Sequence, residues 1–262
     1  MVVVHPEYAM LILEINDLKE EIADLIVERD MIKCYVRKDI QIDYMLKIGA
    51  LEYKLMVAKN DYKKNLRKLE IIKEKVAKKL DVNMESIERK INREFKEQNK
   101  NEVEMSEDID FAIEVSAIEL FDHDMVDEMN VDYYKLQKLY NPVFDLDSSA
   151  EKAKMYEKIE KYYKKGNFKK LHKLAEDYDA DDIFQDEISN LKKLREKYMD
   201  VLKTTKREMR KLKNSFPYNQ KVILEDENLY RRKKDSLNRE IMDINNESKK
   251  IEKKIKNQLK KL

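Results

Sequence analysis

Side chains able to do chemistry are few in this chain and far apart. The three histidines, His5, His123 and His172, fall in three different stretches. A metal centre needs ligands that converge. The one local candidate, "FDHDMVDE" around His123, offers a single imidazole among carboxylates and reads as a solvated acidic turn. Cys34 lies among Lys33, Arg37 and Lys38, neighbours of the kind that lower a thiol pKa. No histidine stands near it in sequence to act as a base, so a partly buried structural cysteine is expected. Two glycines in the whole chain cannot build a loop that cradles phosphate. The chain therefore reads as non-enzymatic, with no catalytic residue, no metal and no cofactor.

Binding chemistry has more material. The terminal "KKIEKKIKNQLKKL" carries seven Lys against one Glu, a composition able to touch nucleic acid or an anionic membrane surface. Lysines also suit the C-terminal end of a helix, where they oppose the macrodipole. They flank an apolar seam here, so the helix-end role is preferred and nucleic acid and membrane are disfavoured as partners. The 15 tyrosines recur at helical spacing and are expected at seams and rims, not as a platform for stacking bases.

The elements that position these residues must be helices. Of 262 residues 42% are charged, with no Trp, two Gly and three Pro, which leaves few places to turn and disfavours sheets. Basic and acidic residues nearly cancel at a net charge of +1, so charge alone calls for no polyanion. The lone cysteine fits a reducing cytoplasm. "MVVVHPEYAM" is too short for a signal peptide, and no apolar run is long enough to span a bilayer. The expectation is a soluble, cytoplasmic, all-α protein.

Leu11, Ile15, Leu18, Ile22, Leu25 and Ile32 make a heptad seam, with Arg29 in the missing position. "KCYVRKD" interrupts it. Tyr44, Ile48, Leu51, Leu55, Ala58 and Tyr62 resume the spacing, and a phase shift near Tyr62 predicts a stutter or bend before Leu66 to Leu80. Two seams joined by a short connector predict an antiparallel hairpin. A weaker helix follows over 84–100, with Ile87, Ile91 and Phe95 on one face. From Asn101 to Asp132 there is no Lys or Arg against twelve Asp and Glu. Within that block "FAIEVSAIELF" is expected to be largely buried. Ser148 with Glu151 has capping-box spacing, and Gly166 is placed as the left-handed residue after a helix end. The seam returns from about Asp182 (Phe184, Ile188, Leu191, Tyr198, Leu202, Met209, Leu212). It turns at "NSFPYNQ" and ends with Leu237, Ile241, Ile244, Ile251 and Ile255. Polar residues such as Thr205 and Ser248 occupy seam positions, where they fix register at a cost in stability.

The predicted fold is all-α: two long antiparallel coiled-coil hairpins flanking a small helical module. The expected segments are 1–100 (first hairpin and third helix), 101–178 (module) and 179–262 (second hairpin). The module turns at "LQKLYNPVFD", where Asn141-Pro142 must end one helix before another begins. Tyr133, Leu136 and Leu139 or Tyr140 face Tyr156, Ile159 and Tyr163 across that loop, as a two-helix finger.

"YYKLQKLYNPVFDLDSSAEKAKMYEKIEKYYKKGNFKKLHKLAE" resembles a J-domain, the module by which DnaJ-type co-chaperones engage DnaK-type chaperones. "YMLKIGALEYKL" and "FPYNQKVILEDE" resemble segments of bacterial proteins that embed this module between coiled coils, so the likeness extends over most of the chain. The family carries His-Pro-Asp in the loop; this chain has Asn141, Pro142 and Val143. The resemblance implies that the aspartate contacts an arginine of the chaperone. Valine cannot make that contact, a loss of about 2–5 kcal/mol for a buried charge pair. It also implies a basic partner-facing helix before the loop, for which Lys135 and Lys138 are the candidates, offset by Asp132. The expected function is a non-enzymatic interaction or scaffold protein with a degenerate J-like module, able to self-associate through its seams. The alternatives are an active co-chaperone stimulating a DnaK-type chaperone, and a nucleic-acid or membrane-surface binder acting through the lysine-rich end.

Overall fold

The computed structural model describes residues 6–116, 122–144, 149–176 and 187–260. In chain order the α-helices are α1 (Pro6–Met31), α2 (Arg37–Tyr44), α3 (Ala50–Ala77), α4 (Met84–Glu94), α5 (Lys96–Ser116), α6 (His123–Tyr140), α7 (Ala150–Lys164), α8 (Phe168–Glu176), α9 (Ile188–Lys213), α10 (Lys221–Glu225) and α11 (Glu227–Leu259). Short 3-10 turns cover Pro142–Phe144 and Tyr218–Gln220. No strand occurs among the described residues, and the protein is all-α.

The hairpin expected at "KCYVRKD" is not formed. Helical structure runs on from Pro6 to Ala77, passing through two π-helical stretches, Ile32–Val36 and Met45–Gly49. A π turn absorbs a residue and shifts the phase of the apolar face without turning the chain. The "KCYVRKD" segment itself contains no Gly or Pro to stop a helix. Helix α3 runs unbroken through Tyr62, so the phase shift expected there does not interrupt the helix.

The long helices instead pair with partners far along the chain, and they do so in parallel. Glu7, Glu21 and Glu28 of α1 meet Lys192, Lys206 and Lys213 of α9 in ascending order, and Glu14 takes Arg195. Glu52 and Lys59 of α3 meet Lys233 and Glu240 of α11. Antiparallel pairing would reverse these orders. Each helix of the expected C-terminal hairpin thus takes its partner from the N-terminal part of the chain.

Contacts divide the chain into two compact units, Met1–Asp39 with Glu119–Asn219, and Ile40–Ile118 with Gln220–Leu262. The first is built on α1 and α9, whose core holds Ile15, Ile22, Leu191, Leu194 and Tyr198. The second is built on α3 and α11, with Leu69, Ile72, Ile251 and Ile255 in contact with Ile87 and Ile91 of α4. Ser248 is buried in that seam and accepts a hydrogen bond from Asn65 Nδ2 at 3.2 Å, a polar pair that fixes register.

Two further expectations need correction. The composition change at residue 101, expected as a domain boundary, falls inside α5, which runs through it from Lys96. "FAIEVSAIELF" is not buried where it is described: Ala112 is, but Phe111 and Ile113 are 61% and 55% exposed. Helix α5 lies against α3 and the Met45–Gly49 stretch with Ala112 buried and polar links such as Asn60 to Glu102, so its apolar residues on other faces stay in solvent. The rest of that stretch, the expected boundary at 178, and Ser148, Asp182 and Phe184 lie outside the described residues.

Candidate functional site

The module of the first unit is a three-helix arrangement, α6, α7 and α8, set on α1. Asp122 caps α6 by accepting from Met125 N, and Ser149, one residue later than the sequence suggested, caps α7 by accepting from Lys152 N. Helix α7 ends as expected: Gly166 has φ +61°, Gly166 N–H donates to Tyr163 O, and Asn167 N–H donates to Tyr162 O. That double bond and the left-handed glycine aim α8 back across the other two helices.

Tyr133 and Leu136 of α6 meet Ile159 and Tyr163 of α7 and Leu171 of α8, all fully buried. The Tyr133 and Tyr163 rings stack at 3.8 Å, and Tyr35 meets Tyr163 edge-on. Buried hydroxyls need partners, and each finds one. Tyr133 donates to Asp30 at 3.0 Å, Tyr163 to Asn130 at 2.6 Å, and Tyr35 to the carbonyl of Tyr163. Burial pushes the Tyr35 hydroxyl up to about 12, with nearby Cys34 adding to it. Burial, and then the Asp30 carboxylate, push Tyr133 far above the ordinary tyrosine range. These hydroxyls are structural donors that stay protonated. Asp30, itself buried, is also held by Arg29 Nε at 2.8 Å.

The proline loop is turned inward. Asn141 is buried, and its Nδ2 donates to Gln137 Oε1 at 2.6 Å and to Tyr156 OH at 3.2 Å. Its Oδ1 accepts from Val143 N at 3.0 Å, so both donors of the amide and one of its acceptor sites are used within the module. Val143 and the buried Phe144 pack into the α1 and α9 core, and Pro142 is half-buried. The Phe144 carbonyl accepts from Tyr198 OH of α9 at 2.7 Å, and the two rings meet edge-on. An aspartate at position 143 would place its carboxylate beside that apolar core, whereas valine fits it.

Lys135 is exposed, but Lys138 is not presented outward. Its ammonium reaches Glu20 of α1 at 3.4 Å and lies over the Tyr134 ring. Both predicted clusters, the loop and this end of α6, thus engage the chain's own long helices.

The remaining sequence candidates stay apart. Cys34 is half-buried beneath the module, and burial, with Asp30 nearby, raises its pKa, so it is a poor nucleophile at neutral pH. His123 opens α6 in solvent, and His5 lies outside the described residues. Among the described residues no group of three His, Cys, Asp or Glu could hold a metal ion. His172 of α8 does find a partner. Its Nδ1 lies 2.8 Å from Asp132 Oδ2 of α6, and that hydrogen bond raises its pKa. The pair edges an open groove of about 520 Å³ lined by Met125, Met129, Val131 and Phe168. A His–Asp pair can relay a proton, yet the groove walls supply no Ser, Thr or Cys to act on.

No family model, curated protein or solved structure matches the chain. The site must therefore be read from its geometry. Asp30, Phe144 and Tyr198 are the residues that sequence reasoning missed as parts of it. Only Tyr198 carried a signal, a polar-tipped aromatic at a seam position.

Proposed function

We propose that this chain is a non-enzymatic interaction or scaffold protein, in which a degenerate J-domain-like module is folded onto the protein's own helices. In this reading the proline loop works as an internal fastening and no longer offers a surface to a DnaK-type chaperone. The observation that carries it is the burial of Asn141 and Phe144, with Val143 packed into the α1 and α9 core. A loop in that position has its recognition groups spent. The Lys138–Glu20 ion pair supports the same conclusion for the helix that would dock a chaperone.

Other details bear on the competing readings. The seams of α1 and α3 are filled by α9 and α11 of the same chain, which argues against self-association through them. Ile251 and Ile255 are buried in the second unit, which supports a helix-end role for the surrounding lysines over a nucleic-acid or membrane contact. No helix among the described residues is long and apolar enough to cross a membrane.

The test is the steady-state ATPase rate of a DnaK-type chaperone with the native chain added. No stimulation is expected, and stimulation would overturn the reading in favour of an active co-chaperone. A parallel Asn141→His, Val143→Asp variant, shown by circular dichroism to be folded, is expected to be silent as well, because Phe144 and Tyr198 still hold the loop to α9. Stimulation by that variant alone would locate the loss in the tripeptide and not in the docking.

A further inference from the structure

Helix α9 has two faces of opposite habit. The face toward α1 spends its cations on an ordered series of glutamates. The opposite face carries Lys203, Arg207, Arg210 and Lys211, all exposed, and none of these four has an ion-pair partner among the described residues. They recur at i, i+4, i+7 and i+8, so they form one strip about 12 Å long at 1.5 Å per residue. Asp200, Thr204 and Asn214 complete the rim of an open depression of about 950 Å³ along it. Unpaired like charges at this spacing repel one another and destabilise a helix. Such a strip is made favourable by an anionic partner.

The anionic counterpart stands in the same sequence. On α5, Glu107, Asp108 and Glu114 are exposed and have no ion-pair partner among the described residues, and Asp110 flanks them. Phe111, 61% exposed, lies between them on the same face. The three acids span about 10 Å of helix, matching the cationic strip in length and helical period. Both strips also have an exposed apolar residue to bury, Phe111 on α5 and Met199 at the edge of α9.

We propose that the basic strip of α9 docks the acidic strip of α5 on a second copy of this chain. Nucleic acid fits the strip less well. It offers no exposed aromatic on which bases could stack, Tyr198 being buried, and a net charge of +1 gives the chain no overall attraction for a polyanion. The contact is heterologous: each copy gives one strip and receives the other, so association is open-ended unless a ring closes. The inference deepens the interaction reading by naming a partner, and a failed sedimentation test would leave the chaperone ATPase result as it stands.

Sedimentation velocity on the full chain tests it. The native chain is expected to associate reversibly as its concentration rises. The apparent Kd should weaken about tenfold or more when ionic strength goes from about 0.05 M to about 0.5 M, as the shortened Debye length screens these exposed charges. One variant carries Lys203→Glu, Arg207→Glu, Arg210→Glu and Lys211→Glu; the other carries Glu107→Lys, Asp108→Lys and Glu114→Lys. Every substituted side chain is exposed, and circular dichroism checks that both variants fold. Each alone should be monomeric, and an equimolar mixture should associate again. A native chain that stays monomeric at every concentration overturns the proposal, as does undiminished association of the α9 variant. Binding of a single-stranded oligonucleotide by a monomeric native chain, lost in the α9 variant, overturns it in favour of nucleic acid.

Discussion

Replacing Tyr198 by Phe removes one hydroxyl from the place where the proline loop is held. That hydroxyl donates at 2.7 Å to the Phe144 carbonyl, and the ring around it is 1% exposed. Losing the bond and leaving a buried carbonyl unpaired costs about 1–2 kcal/mol. The ring still fills the seam, so the loss should fall on the loop and not on the α1 and α9 pair. Local opening of the loop then becomes about tenfold more frequent, since 1.4 kcal/mol is one decade. Amide exchange reads this directly. Phe144 N–H donates to Asn141 O at 3.0 Å and Val143 N–H to Asn141 Oδ1 at 3.0 Å, and both should lose protection while the amides of α9 keep theirs. Phe144→Ala removes the buried ring as well and should cost about 3 kcal/mol, at the low end for a Phe truncation because a loop can partly collapse. The two changes share one contact, so the double variant should cost less than their sum by 0.5 kcal/mol or more, as about that much separates coupled from independent sites. Unchanged protection at Phe144 and Val143 in Tyr198→Phe, together with strict additivity in the cycle, would refute the docked loop.

Asp30→Ala strands the Tyr133 hydroxyl and leaves Arg29 with its weaker contact to Glu208 at 3.3 Å; a loss of about 2–3 kcal/mol is expected in thermal or urea unfolding. The His172 titration, followed by NMR, should have its midpoint above 6.5, and Asp132→Asn should bring it down. Because the folded pKa is the raised one, the stabilising contact is fully present below the unfolded pKa and fades as pH rises through the folded value. Gly166→Ala forces a side chain into φ +61° and should cost about 1–2 kcal/mol, read as a lower Tm. Cys34 should react with a thiol reagent at pH 7 more slowly than an exposed cysteine, because burial raises its pKa; rapid labelling would show the site to be open.

What the sequence made legible was what local chemistry decides. Gly166 ends α7 because only glycine adopts the left-handed turn freely, and Ile87 and Ile91 are buried because their spacing leaves them one face to share. The direction of pairing was not of this kind. A broken seam at "KCYVRKD" admits two explanations, a turn of the chain or an extra residue taken up by a π turn, and periodicity is the same on either side of both. The charges that choose between them, such as Glu28 and Lys213, stand 185 residues apart. The inward loop was hidden for the same reason. Asn141, Pro142 and Val143 showed that the familiar tripeptide was missing, but what holds them is Tyr198, 54 residues beyond Phe144. Asp30 reads as one surface charge among many until Tyr133, 103 residues away, is placed against it.

Parallel pairing across such separations has a consequence for synthesis. Glu28 leaves the ribosome 185 residues before Lys213, the partner that completes its end of the α1 and α9 pair. At about 5–20 residues per second that interval is roughly 10 to 40 seconds. Throughout it the apolar stripe of Leu11, Ile15, Ile22 and Ile26 has no α9 to cover it. The nascent chain must therefore wait with a long greasy helix in the open, and general holding factors that bind such surfaces should retard its release. Slowing translation between α8 and α9 should raise the yield of aggregated product, and speeding it should lower it.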